Sequence, residues 1–340
     1  MNDRVLRFRK DRRFQILMIS DFHAGAHCSQ KLIDGIEALV DHTAPDLVLV
    51  GGDQCLQGTT KEELADYMGR IMVPVIRRDI PWAAVSGNHD RETDHPVEME
   101  FEAYAMLPGY VGEIGPETVS GCGNYCLTVL ASDNDDAAYH IWALDSFSEV
   151  RDFIRIFNLP NDTRFQLPIP MCTGSCQSTV MFDQVLWYYN ESKKREAAAG
   201  RKIPAVMYMH VPLPEICFLA NNPEQCDVRG DKRETIGCSE LNSGLFMACL
   251  QRGDVKGIFF GHEHLCDFDG VYCGITMGYD AAVGYDMSAH DDLRGGRIIT
   301  LNENGSFVTE TVKLMDIMGI RAMRDPAYFE GGSKYNFRIL

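Results

Sequence analysis

Three times in the first ninety residues a short aliphatic run stops abruptly at a polar cluster. Residues 15–20 (QILMIS) run into Asp21, residues 46–50 (DLVLV) into Gly51-Gly52-Asp53, and residues 81–86 (PWAAVS) into Gly87-Asn88-His89-Asp90. Apolar runs of this length without alternation read as strands buried on both faces, the pattern of a parallel sheet. Between them, residues 29–42 and 61–78 carry apolar side chains at helical spacing, which predicts a β-α-β-α-β order. Functional groups in such sheets gather at the carboxyl ends of strands, and the polar clusters fall there.

The same pattern returns later: residues 203–209 (IPAVMYM) run into His210, and residues 255–260 (VKGIFF) into Gly261-His262-Glu263-His264. Between the two halves, about residues 109–184, the pattern is less regular. NYCLTVLAS and YHIWALDS read as strands, and NLPNDTRFQLPIPMCTGSC as an excursion serving as a lid or substrate-shaping loop. Residues 182–199 read as a helix stopped by Gly200. GVYCGITMG and GRIITLN read as strands closing a second sheet. The 340 residues are expected to form one domain, 1–340, with the irregular region as an insertion.

Five strand ends thus supply Asp21 and His23, Asp53, Asn88, His210, and His262 with His264. A lone Asp or His at a strand end is most often a cap or turn former. Seven in workable order point instead to a common site. If the backbone stays extended, residues two apart share a face, so Asp21 with His23 and His262 with His264 each aim two ligands into one cavity. Carboxylate mixed with neutral imidazole suits zinc, iron or manganese, whereas an all-oxygen set would suit magnesium or calcium. Two close cations repel, and a bridging carboxylate offsets part of that repulsion. Asp53, after two glycines that let the backbone turn, is placed for this role. A water held between such ions has its pKa lowered toward neutrality. His27, His95 and His290 lack motif company and read as bystanders, and Cys28, Cys55 and Cys266 as packed thiols.

The formal net charge of −17 argues against broad attraction to nucleic acid or an anionic membrane. It leaves phosphate-ester substrates open, because a cation pair concentrates about +4 to +5 in one small volume. No apolar run approaches the length of a membrane span, and the first fifteen residues lack the apolar centre of a secretory signal. The sequence as it stands predicts a cytoplasmic protein, or a secreted one if a leader was removed; it sets no oligomeric state. Twelve cysteines include the close pairs Cys122 with Cys126, Cys172 with Cys176, Cys217 with Cys226 and Cys266 with Cys273. Free thiols, disulfides and a structural zinc all remain open.

The succession SDFH, GGDQ, GNHD, MYMH and GHEH, over about residues 16–273, resembles the five-block signature of the calcineurin-like metallophosphoesterase superfamily. HVPLPE from His210, NSGLF from Asn242, GHEHLCDF from Gly261 and RGGRII from Arg294 are similar to its purple-acid-phosphatase-like subgroup, which includes small plant members and a fungal cell-cycle phosphatase. The resemblance implies an α/β fold, a four-layer αββα sandwich of two mixed sheets flanked by helices. It implies one metal held by Asp21, His23, Asp53 and His264, and the other by Asp53, Asn88, His210 and His262. His89 would be an outer-sphere acid, with Asp90 orienting its imidazole. The expected activity is hydrolysis of phosphate monoesters, on phosphoproteins or small phosphorylated molecules, by a metal-held hydroxide. A phosphodiesterase or nuclease on the same scaffold is the alternative, and a non-catalytic protein-binding scaffold the third reading. Purple members carry a tyrosine ligand three residues after the bridging aspartate. Leu56 stands there, so no purple colour is expected, and the two divalent or trivalent ions are left among iron, zinc and manganese.

Overall fold

The computed structural model describes residues 4–25, 28–148, 177–239, 241–285 and 289–319. A two-residue strand, β1 (Leu6–Arg7), precedes the three runs that the sequence marks out: β2 (Arg13–Ile19), β3 (Leu47–Val50) and β4 (Trp82–Ala84). These three pair in parallel in that order, and their central side chains are excluded from solvent. Helix α1 (Gln30–Thr43) starts at Ser29, whose hydroxyl accepts from the Lys31 N–H, and α2 (Lys61–Ile71) starts at Thr60, which accepts from Glu63 N–H. The helix expected over 61–78 is two helices, because Pro74 lacks an N–H and clashes with the preceding turn; α3 (Val73–Ile76) begins anew at Met72. Helix α4 (Val97–Tyr104) follows the third polar cluster.

The second sheet has seven strands in the order β1, β5 (Tyr125–Leu130), β6 (Ala137–Ala143), β7 (Ala205–Met209), β8 (Val255–Phe260), β10 (Ile275–Tyr279) and β9 (Asp269–Tyr272). Strands β6, β7, β8 and β10 run parallel. GVYCGITMG is a hairpin at the sheet edge, turned by Cys273 and Gly274 with φ of 49 and 80°. GRIITLN does not join that sheet. It forms β11 (Gly295–Asn302), which lies antiparallel to β2, and β12 (Phe307–Lys313) completes a five-stranded sheet at the outer edge of β11.

Successive residues of β7 show how the layers stack. Val206 and Tyr208 enter the core shared by both sheets, while Ala205, Met207 and Met209 enter a second core beneath helices α5 (Phe182–Ala199), α6 (Ile216–Asn221) and α7 (Leu245–Arg252). Helix α1 covers β11 from the other side and packs against α8 (Leu314–Met318). Two mixed sheets flanked by helices are therefore the architecture, as the resemblance implies. Strands β5 and β6 make part of the supposed insertion a regular piece of sheet. The excursion between them and α5, His27, Cys172 and Cys176 lie outside the described residues. Among the described residues, no helix is long and apolar enough to cross a membrane.

Candidate metal centre

The carboxyl ends of β2, β3, β4, β7 and β8 converge, bringing all seven expected ligands into one cavity. Backbone bonds sew the first two turns together: Asp21 N–H donates to Gly52 O at 2.9 Å, and His23 N–H to Asp53 O at 3.0 Å. Gly52 has φ 103°, and a Cβ there would collide with the His210 ring, so the double glycine is required both for the turn and for space. The ligand pairs do not converge by extended geometry as expected. Asp21, His23, Asp53 and His262 have φ of 56, 41, 54 and 78°, so tight left-handed turns aim them inward.

Two groups of ligand atoms result: Asp21, His23 and His264, and Asp53, His210 and His262. Asp21 Oδ1 lies 3.5 Å from His264 Nε2 and 3.9 Å from His23 Nε2. Asp53 Oδ2 lies 3.2 Å from His210 Nε2 and 3.5 Å from His23 Nε2, so it faces both groups. Asn88 Oδ1 sits 3.1 Å from His210 Nε2 and 2.8 Å from His262 Nδ1. Groups bound at about 2 Å to a common ion lie roughly 3–3.5 Å apart, and the distances here scatter around that value, from 2.8 to 3.9 Å. The other oxygen of each carboxylate is already engaged. Asp53 Oδ1 accepts the His89 N–H at 2.8 Å, and Asp21 Oδ2 accepts the His262 N–H at 3.2 Å. Asp21 Oδ1, Asp53 Oδ2 and His23 Nε2 are buried without a hydrogen-bond partner, as atoms awaiting a cation would be. His210 Nδ1 is fixed by Gly51 O at 2.8 Å, which presents Nε2 to the centre.

His89 sits at the rim, its ring 5.3 Å from that of His23 and its side chain 43% exposed. The expected His89–Asp90 pair does not form. Residues His89–Glu92 form a 3₁₀ turn, which eclipses positions three apart, so Nδ1 of His89 meets Glu92 Oε2 at 2.7 Å. Asp90 instead points inward and accepts three backbone N–H groups: Asp53 at 3.0 Å, Gly87 at 2.7 Å and Cys55 at 2.7 Å. It clamps the Asp53 turn to the Asn88 turn. His95, read as a bystander, is satisfied structurally by Gly58 O and Glu100.

Sequence reasoning missed Glu92, and also Gly237, where a Cβ would come within 2.7 Å of His262 Nε2. It missed Ser20 and Asp280, which touch Asp21 from behind directly and through one hydroxyl. Asp280 ends β10 as Asp21 ends β2, so the strand-then-acid pattern could have found it. Cys55 Sγ lies 3.5 Å from His23 Nδ1, and Leu56 is buried in the apolar core. Cys122 with Cys126, Cys217 with Cys226 and Cys266 with Cys273 are not bonded to one another; Cys217 Sγ instead comes to 3.6 Å from Cys238 Sγ.

The close carboxylates and imidazoles of the centre shift one another's protonation. Burial opposes the charge of His210, but Asp53 outweighs it and pushes His210 up to about 10. Burial likewise opposes His264, and the Asp21 carboxylate beside it pushes it up to about 9. Asp21 is held down to about 2: burial works against its charge, and His264 and His210 overcome it. Burial and the His210 charge drop His262 to about 3. Each raised imidazolium contributes stability that is whole below pH 6.5 and lost as pH rises through about 9 and 10. Cations must displace both protons. Loading at pH 7.5 is therefore expected to release about two protons per chain, with affinity rising with pH up to that range. Calorimetry in buffers of different ionisation enthalpy measures this; zero net release would contradict the charge assignment.

The sequence and fold match known proteins. A family profile described as calcineurin-like phosphoesterase matches residues 14–266. Over 316 residues the chain is 27% identical to the Arabidopsis thaliana protein named probable inactive purple acid phosphatase 14, covering 83% of this chain and 73% of that one. Over 281 residues it is 22% identical to phosphatase DCR2 of Saccharomyces cerevisiae, covering 75% of this chain and 45% of that one. A crystal structure of a dimetal phosphatase from Danio rerio superposes with a TM-score of 0.53 at 10% identity, over 87% of this chain and 98% of that one; at such identity the likeness is one of fold.

Proposed function

The chain belongs to the calcineurin-like phosphoesterase family, and we propose that it is a dimetal-dependent hydrolase of phosphate monoesters, on phosphoproteins or small phosphorylated molecules. The observation that carries this reading is the pair of buried, partnerless carboxylate oxygens, Asp21 Oδ1 and Asp53 Oδ2, each ringed by imidazole nitrogens. Asp21, His23, Asp53 and His264 would hold one cation, and Asp53, Asn88, His210 and His262 the other. Two cations bound there would supply Lewis acidity toward a phosphoryl oxygen and a water activated near neutral pH.

The chain's own groups do the rest. His210 is fully buried while His23 and His264 are 16 and 20% exposed, so substrate approaches from the side where His89 stands. Glu92 fixes Nδ1 of His89 and leaves Nε2 for a phosphoryl or leaving-group oxygen. Asp90 keeps the two ligand turns in register without touching substrate. The net charge of −17 offers no basic track for a nucleic-acid strand, which favours a monoester over a nuclease reading. The plant relative named above carries the word inactive, which favours a non-catalytic reading; the complete set of seven ligands here opposes it.

After reconstitution with manganese, zinc or iron, kcat/KM for p-nitrophenyl phosphate is expected to exceed that for its bis-ester by about tenfold or more. The reverse order would make the protein a phosphodiesterase. Full occupancy with turnover of neither ester would make it a scaffold.

A further inference from the structure

A sixth strand end reaches the centre. Asp280, directly after β10, is 1% exposed, and its Oδ1 lies 2.9 Å from the Ser20 hydroxyl. The same hydroxyl oxygen contacts Asp21 Oδ2. Ser20 has one proton to give, and it faces two carboxyl groups in a region closed to solvent. If both were ionised, one would point its lone pairs at a hydroxyl oxygen with nothing between them. A proton on Asp280 resolves this: Asp280 donates to Ser20 Oγ, and Ser20 donates to Asp21 Oδ2. Asp21 Oδ2 already accepts the His262 N–H and its Oδ1 faces His264 and His23, so Asp21 is the carboxyl group placed to stay ionised and the proton belongs on Asp280.

The consequence falls on Asp21. Its Oδ2 then accepts both the Ser20 hydroxyl and the His262 N–H, which fixes the carboxylate plane and turns Oδ1 toward His264 and His23. The surroundings leave this arrangement no slack. A Cβ on Gly261 would come within 2.8 Å of Ser20 Oγ, and one on Gly51 within 3.0 Å of the Ser20 Cβ. We infer that Asp280 and Ser20 form a hydrogen-bonded relay that holds Asp21 for the cation it shares with His23 and His264. Both are positioning residues, since neither reaches the cavity. The inference rests on the dimetal reading of the centre and assigns two residues outside its ligand set.

The test is manganese binding, followed by calorimetry and elemental analysis, on the full chain and three variants. Ser20→Ala and Asp280→Ala are expected to weaken one of the two sites by about 10- to 100-fold and leave the other within about threefold. Asp280→Asn keeps an N–H to give Ser20 and is expected to stay within about threefold of the unaltered chain at both sites. Unchanged binding in Ser20→Ala, or in a folded Asp280→Ala, overturns the relay, as does Asp280→Asn binding as weakly as Asp280→Ala. Circular dichroism in chelator separates these outcomes from unfolding, and Ser20→Ala alone decides if Asp280→Ala does not fold. An unaltered chain that binds fewer than two ions overturns the dimetal reading and the relay together; two ions bound with unaffected variants overturns the relay alone.

Discussion

Asp53→Asn is expected to fold, to bind at most one cation per chain and to lose turnover by more than about 100-fold, since even partners of a ligand are worth about 10- to 100-fold. Folding should survive because asparagine accepts the left-handed conformation that Asp53 adopts at φ 54°, and its amide oxygen can still take the His89 N–H. What disappears is the charge on Oδ2, which lies within 3.5 Å of ring nitrogens from both ligand groups. An amide there offers no anionic bridge between two cations and turns N–H donors toward His210 and His23. The change should also release His210 from the cause of its raised pKa, so fewer protons leave on loading. Elemental analysis with a p-nitrophenyl phosphate assay measures both effects. Two ions bound with near-native turnover would sink the bridging role.

His89→Ala should separate rate from binding. The ring is at the rim and packs in no apolar core, and its contribution to the centre is a backbone N–H that alanine retains. Cation content should therefore stay at its native level while kcat falls by roughly 10²- to 10⁴-fold, the range for a well-placed acid. The leaving group decides what His89 does. p-Nitrophenolate departs without a proton, whereas an alkoxide such as that of a phosphoserine does not. If His89 protonates the leaving oxygen, the deficit must be larger on alkyl esters than on p-nitrophenyl phosphate; if it only steadies phosphoryl charge, the two deficits are equal. A variant that also loses its cations would show that the ring supports the ligand shell.

The ligand set was legible because parallel strands buried on both faces leave continuous apolar runs, and each run here ends where a polar side chain enters the cavity. The turn conformations were not legible. Nothing in Asp21, His23 or His262 announces a positive φ, so extended geometry was the natural expectation, and the ligands converge for a different local reason. Residues 295–302 could pair with either sheet, because an apolar strand does not encode its neighbour; antiparallel pairing with β2 is settled by contacts nearly three hundred residues apart in sequence. Asp90 was misread because adjacency to His89 suggested an orienting carboxylate. The 3₁₀ turn assigns that place to Glu92 and sends Asp90 to the backbone. Asp280 carried the right pattern without motif company, which is why it surfaced only in three dimensions.

The left-handed turns constrain how such a chain can vary in length. Each must put one particular Asp or His in a conformation that non-glycine residues enter at a cost on the order of 1–3 kcal/mol. Removing a single residue before Asp21 or Asp53 would hand that slot to Phe22 or Gln54, and adding one would push the aspartate past it; either change carries the carboxylate out of place. Between Glu92 and His210 the sequence holds none of the seven expected ligands. New segments can be accommodated there, and the mouth of the cavity reshaped, while the spacing inside each ligand turn stays frozen.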